Sequence, residues 1–89
     1  MIISLPLPVG TIEQFLLRHF PFTLTVKNDD LADAMSYCTA HFGRNAYYEN
    51  IQKVDTDLLW NWEYAEYPNV VFYFKEPFDD LVEFKLRFC

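Results

Sequence analysis

The sequence predicts an α+β fold: a single compact domain over residues 1–89, with an antiparallel sheet and two to three helices packed on one face. Three observations predict it. The chain has 89 residues, 52% hydrophobic and 22% charged, which suits one globular core and is too short for two. Phe22–Lys27 alternates apolar and polar positions with the period of a strand, and Val70, Phe72 and Phe74 alternate with Val71, Tyr73 and Lys75 in a second one. Leu31, Ala34, Met35, Cys38 and Phe42 recur at helical spacing.

The elements follow in order. Met1–Val9 reads as a short strand, which Pro6 and Pro8 confine to an edge or end early. Gly10 breaks it. Thr11 then caps a helix, with Gln14 three residues on to close a capping box. Ile12, Phe15, Leu16, His19 and Phe20 share one face of that helix, and Pro21 stops it. Phe22, Leu24 and Val26 form the inward face of the next strand. Asn28-Asp29-Asp30 makes a turn and a cap, and Asp30 and Asp33 put negative charge where the second helix's dipole favours it. Gly43 is its natural C-terminal stop.

Arg44–Asp57 reads as a short strand or an ordered loop. Leu58, Trp60, Trp62 and Tyr64 then alternate along a strand with a heavily aromatic face. Tyr67-Pro68-Asn69 is a turn signal, so this strand and Val70–Lys75 make an antiparallel hairpin. Pro77 suits the first turn of a last helix carrying Phe78, Leu81 and Val82. The alternation of Phe84, Leu86 and Phe88 predicts that the chain finishes as a short strand.

Composition excludes several classes. Thirteen Asp plus Glu against seven Lys plus Arg give a net charge of −6, the wrong sign for gripping a phosphate backbone. No apolar run approaches a membrane span, and the prolines and missing basic region of Met1–Gly10 do not fit a secretory leader. Two cysteines are too few for a disulfide framework, so Cys38 and Cys89 are expected as free thiols in a cytoplasmic setting.

The last third runs Val70-Val71-Phe72-Tyr73-Phe74-Lys75, then Glu76-Pro77-Phe78-Asp79-Asp80-Leu81-Val82-Glu83, and ends Phe84-Lys85-Leu86-Arg87-Phe88. This resembles the C-terminal ends of small accessory proteins of tailed bacteriophages, with an aromatic strand, an acidic D-x-x-x-F stretch and a Leu-Arg-aromatic end. Asp80 and Phe84 fill the Asp and first Phe positions; Pro77 departs from the acidic turn. The resemblance spans Val70–Phe88 alone. It implies a viral accessory protein that binds a host protein in the host cytoplasm, as counter-defence proteins, including anti-CRISPR proteins, do.

Chemistry-bearing constellations are sparse. Cys38 and His41 stand three apart on the second helix, with His19 on the first. They could begin a zinc site or a thiol–imidazole pair, but Cys38 continues the apolar stripe, late in its helix and far from the end that activates thiols. The carboxylates of Asp29/Asp30/Asp33, Asp55/Asp57 and Asp79/Asp80/Glu83 each sit beside a turn or helix start, as caps and solvated faces do. Only Gly10 and Gly43 occur, so there is no phosphate loop. The sequence therefore points to no catalytic, cofactor-binding or metal residue.

Aromatics carry the signal. Nine Phe, six Tyr and two Trp are more than a small core hides, and Tyr and Trp dominate interface hot spots. Tyr47, Tyr48, Trp60, Trp62, Tyr64, Tyr67 and Tyr73 cluster in sequence with Glu49, Asp55, Asp57, Glu63 and Glu66, while Lys53 and Lys75 are the nearby cations. That balance opposes single-stranded nucleic-acid binding. The expected function is a non-enzymatic inhibitor or modulator of a host protein. Its partner-binding surface is Tyr47, Tyr48, Glu63, Tyr64, Glu66 and Tyr67. Two alternatives stay open. An acidic mimic would block the basic groove of a nucleic-acid-binding protein. A self-assembling subunit, a homodimer in the simplest case, would bury aromatics between copies.

Overall fold

The computed structural model describes residues 2–4, 12–48 and 53–89, with side chains described over 16–46 and 55–89. The elements are β1 (Ile2–Ser4), α1 (Ile12–His19), β2 (Phe22–Lys27), a 3₁₀ turn (Asn28–Asp30), α2 (Leu31–Phe42), β3 (Tyr47–Tyr48), β4 (Lys53–Asp55), β5 (Trp60–Tyr64), β6 (Asn69–Phe74) and α3 (Asp80–Phe88). The principal sheet has the order β2-β6-β5 and is antiparallel throughout. A smaller sheet has the order β1-β4-β3. The two are stitched at Ala46, whose N–H donates to Trp60 O at 2.9 Å and whose carbonyl accepts from Asp55 N at 2.9 Å.

Register assigns every side chain of the principal sheet to a face. Phe22, Leu24 and Val26 lie opposite Phe74, Phe72 and Val70, which lie opposite Trp60, Trp62 and Tyr64. This face receives α2 and α3. Val26, Val70, Phe72, Phe74, Trp60, Ala34, Cys38 and Phe84 are all withdrawn from solvent there. Phe84 closes the layer: its ring centroid lies 5.4 Å from Phe72, 5.5 Å from Phe74, 5.8 Å from Tyr37 and 5.1 Å from Phe88. The opposite face carries Val71 and Tyr73, with Leu16 of α1, Phe20 just after it, and Ala46 gathered around Tyr73. So two helices share one face, as expected, and the third belongs to the other.

The second helix ends as its sequence dictates. Gly43 takes a φ of 85°, which a side chain resists, and its N–H returns to Thr39 O at 3.2 Å. Its carbonyl accepts the Trp60 indole N–H at 2.7 Å, so the buried ring keeps its polar edge satisfied. At the start of α2 the expected Asp30 cap makes no side-chain hydrogen bond; the 3₁₀ turn leads straight into the helix. The Thr11–Gln14 box lies outside the described residues, because Thr11 does. Residues 44–57 contribute two short strands, β3 and β4, and β5 begins at Trp60 rather than Leu58.

One expectation is overturned. The chain does not finish as a strand: α3 runs unbroken from Asp80 to Phe88. Pro77 precedes that helix by three residues and is not in its first turn. Two periods compete in this segment. Phe84, Leu86 and Phe88 alternate, but Leu81, Phe84 and Phe88 also fit a helical stripe. The sheet needs a cover, and the helical stripe supplies it. Leu81, Phe84 and Phe88 pack on the core, while Leu86 is 81% exposed.

A substitution pair distinguishes the two arrangements. Phe84→Ala should lower unfolding free energy by about 3–5 kcal/mol. Leu86→Ala should stay within about 0.5 kcal/mol in dilute solution. Urea titration of both variants measures this; equal losses would place Leu86 and Phe84 on one buried face.

Candidate functional site

The β5–β6 hairpin end is built from Tyr64 to Asn69. Ala65 N donates to Asn69 O at 3.1 Å, and Asn69 N to Glu66 O at 2.9 Å. The turn is also tied to the 3₁₀ segment, since Asn28 N donates to Pro68 O at 2.7 Å and Lys27 Nζ to Asn69 Oδ1 at 2.9 Å. The Tyr67–Pro68 bond is cis. On this fixed backbone Tyr64 is 64% exposed and Tyr67 80% exposed, with Glu66 exposed between them. Tyr64 is steadied from one side by Trp62, edge to face at 4.9 Å.

The sequence-predicted surface divides accordingly. Tyr64, Glu66 and Tyr67 come together at the hairpin end. Glu63 sits on the other face of β5, half-buried, and accepts a hydrogen bond from the Tyr73 hydroxyl at 3.4 Å. Tyr47 and Tyr48 form β3 in the smaller sheet; their side chains lie outside the described residues. Of the wider aromatic set, Trp60 and Tyr73 are buried and Trp62 is half-buried.

A second exposed feature was not singled out by sequence reading. Among the described residues β2 is an edge strand of the principal sheet. Beside it an open groove of about 290 Å³ runs to α3, lined by Phe22, Leu24, Pro77, Phe78, Leu81 and Val82, with Thr23 and Lys85 completing it. Phe22 is 42% exposed and Val82 66%. Val82 and Leu86 stand four apart, a spacing that marks one helical stripe once α3 is known to continue. The strand reading of the last residues hid it.

The Cys38–His41 pair is divided by its surroundings. Cys38 is fully buried in the core, and burial pushes its thiol from 9.0 up to about 12. That is the opposite of thiolate activation. His41 stacks on Tyr37 at 4.0 Å and lies 3.0 Å from Asp80 Oδ2 through Nδ1. Tyr37 in turn donates to the Asp80 carbonyl at 3.0 Å and reaches Glu83 Oε2 at 3.3 Å, and the Arg87 guanidinium lies 5.6 Å from its ring centroid. These contacts clamp α2 to α3. Burial and the nearby Glu83 carboxylate raise the Tyr37 phenol above 10.0. Among the described residues no three His, Cys, Asp or Glu side chains are placed to hold a metal ion, and no helix is long and apolar enough to cross a membrane.

The raised thiol and phenol set an alkaline limit. Each binds its proton more tightly in the folded chain than in the unfolded one, so its contribution is complete below the unfolded value and is lost as pH rises through the folded one. Stability should therefore fall as pH climbs from about 9 toward 12, and Cys38→Ala should flatten that fall. In the native protein Cys89 should react with a thiol reagent while Cys38 stays protected until unfolding. Tyr37→Phe should cost about 0.5–1.5 kcal/mol at neutral pH, from denaturant titration.

Comparison with known protein families, curated proteins and solved structures finds no match to this chain.

Proposed function

We propose that this protein is a non-enzymatic binding module that acts by occupying the surface of another protein through its hairpin end. One observation carries the reading. Tyr64 and Tyr67 stand largely exposed on a turn whose backbone is tied down by three hydrogen bonds, with a fourth from Lys27 Nζ to the Asn69 side chain. An aromatic held in place before contact loses little freedom on binding, and Tyr combines a large apolar ring with a polar tip. Exposed Glu66, between the two tyrosines in sequence, on a chain of net charge −6, favours a partner with a basic rim around an apolar pocket.

The likeness of Val70–Phe88 to tailed-phage accessory proteins supports a host protein as the target, and inhibition or modulation as the effect. Glu63 belongs to the module's support rather than to its contact surface, since it is engaged with Tyr73 on the far side of β5.

The test is capture from bacterial lysate with the tagged chain, repeated with Tyr64→Ala/Tyr67→Ala and washed across a salt series. A single stoichiometric protein should be retained at high salt by the parent chain. The double variant should lose it, with unchanged circular dichroism. Losing two such anchors should weaken binding by about 2 kcal/mol or more. A captured protein that is released as salt rises and competes with DNA would instead support the acidic mimic. Undiminished capture by the double variant would remove the hairpin end from the interface.

A further inference from the structure

We infer that β2 is the seam of a two-fold homodimer, in which Phe22–Lys27 pairs antiparallel with the same strand of a second copy and joins the two principal sheets into one of six strands. The first ground is the edge itself. Pairing with β6 uses one side of β2, and alternate residues direct N–H and C=O groups away from it. Sheet edges are ordinarily blunted by proline, a bulge or inward charge. Here the register with β6 runs without interruption from Phe22 to Lys27, no proline falls within the strand, and its one charge is Lys27 at the end.

The second ground is self-complementarity, which selects a second copy over a foreign strand. A two-fold that joins antiparallel strands into one sheet stands perpendicular to that sheet, so the helix-bearing faces of both copies lie on the same side. Residues opposite each other must then share a face, and a dyad centred on the strand must pass beside a residue. Centred at Leu24, it pairs Leu24 with Leu24, Phe22 with Val26, and Thr23 with Thr25 of the second copy. All three apolar residues meet apolar ones and both threonines meet threonines. Centred at Thr25, it would set Thr23 against Lys27 and Phe22 against Asn28.

The third ground is charge and apolar surface on the same side. The groove between β2 and α3 is lined by six apolar residues, Thr23 and Lys85, with no carboxylate. On a chain of net charge −6 this is where two copies approach without setting acids against each other. The same rotation runs the two α3 helices antiparallel over the seam. It turns Val82 and Leu86, 66% and 81% exposed, toward their counterparts. Of the charged side chains of α3, Lys85 lies on the groove side, while Asp80, Glu83 and Arg87 sit on the flank that meets α2. The hairpin ends fall at opposite ends of the joined sheet, so the dimer leaves both free and its test is independent of theirs.

The experiment is sedimentation equilibrium from low micromolar to near-millimolar concentration, on the parent chain and on Val82→Glu/Leu86→Glu. The parent should run as a dimer at the upper end. The double variant should run as a monomer with unchanged circular dichroism, because both positions are exposed. Register is read separately in a Cys89→Ser background, by mixing Thr23→Cys and Thr25→Cys chains under a mild added oxidant. Directly opposed residues have Cβ atoms roughly 4.5–5.5 Å apart, within reach of a disulfide after slight adjustment. The mixture should cross-link, and neither chain alone should. A parent that stays monomeric at every concentration would overturn the inference. So would a dimer that survives the double glutamate substitution, or cross-linking of Thr25→Cys chains alone.

Discussion

The fold depends on the double burial of β6. Val70, Phe72 and Phe74 are fully buried on one side of this central strand, and Tyr73 is 2% exposed on the other. A strand that is apolar on both faces needs a cover on each, and the chain has few elements to supply them. Aromatic side chains make the arrangement workable in so small a domain, since each can remove roughly 150–250 Å² from water. Trp60 stacks on Phe72 with centroids 5.9 Å apart, and Phe42 meets Phe74 at 5.6 Å. Phe84 then fits over both β6 phenylalanines. On the reverse side Tyr73 is enclosed by Leu16 and Phe20, and its hydroxyl is satisfied by Glu63. The large number of aromatics is therefore first a consequence of building a two-sided core from short elements.

That division of labour determines what is left open. With α2 and α3 on one face and α1 on the other, the described elements cover the middle of the principal sheet and leave β2 at an edge. At the hairpin end Tyr64 and Tyr67 are largely exposed, outside the core that consumes Trp60 and Tyr73. Small domains have too little interior to hide every apolar side chain. What distinguishes these two surfaces is order: one is a turn held by its own backbone and by Lys27 and Asn28, the other a regular strand beside a groove.

Sequence reading succeeded where one period was unambiguous. β2 and the apolar stripe of α2 were legible because Phe22, Leu24 and Val26, and Ala34, Cys38 and Phe42, each fit one template. Tyr64, Glu66 and Tyr67 were singled out by acidic charge beside surplus aromatics, and the structure shows all three exposed near one hairpin end. Phe84–Phe88 was misread because its residues fit both periods, and only the need of Phe72 and Phe74 for a cover decides between them. Pairing of Glu63 with Tyr73 was not legible at all, since it depends on the register of β5 against β6. The same holds for the exposed stripe of Val82 and Leu86, which exists only if the helix continues.

The rotation of α3 links stability to surface. Phe84 and Phe88 point this helix inward, and the contacts of Tyr37 with Asp80, Glu83 and Arg87 fix its flank against α2. Residues turned away from both must then face β2 or solvent, and these are Val82, Lys85 and Leu86. The Glu83–Arg87 pair is exposed, with its nearest atoms 3.7 Å apart, and contributes little energy by itself. Its place beside the Tyr37 ring helps to hold one orientation of the helix. A helix anchored along one flank and left bare along the other presents its apolar stripe in a constant direction. That constancy is what a docking surface requires, and it comes from the same phenylalanine contacts that close the core.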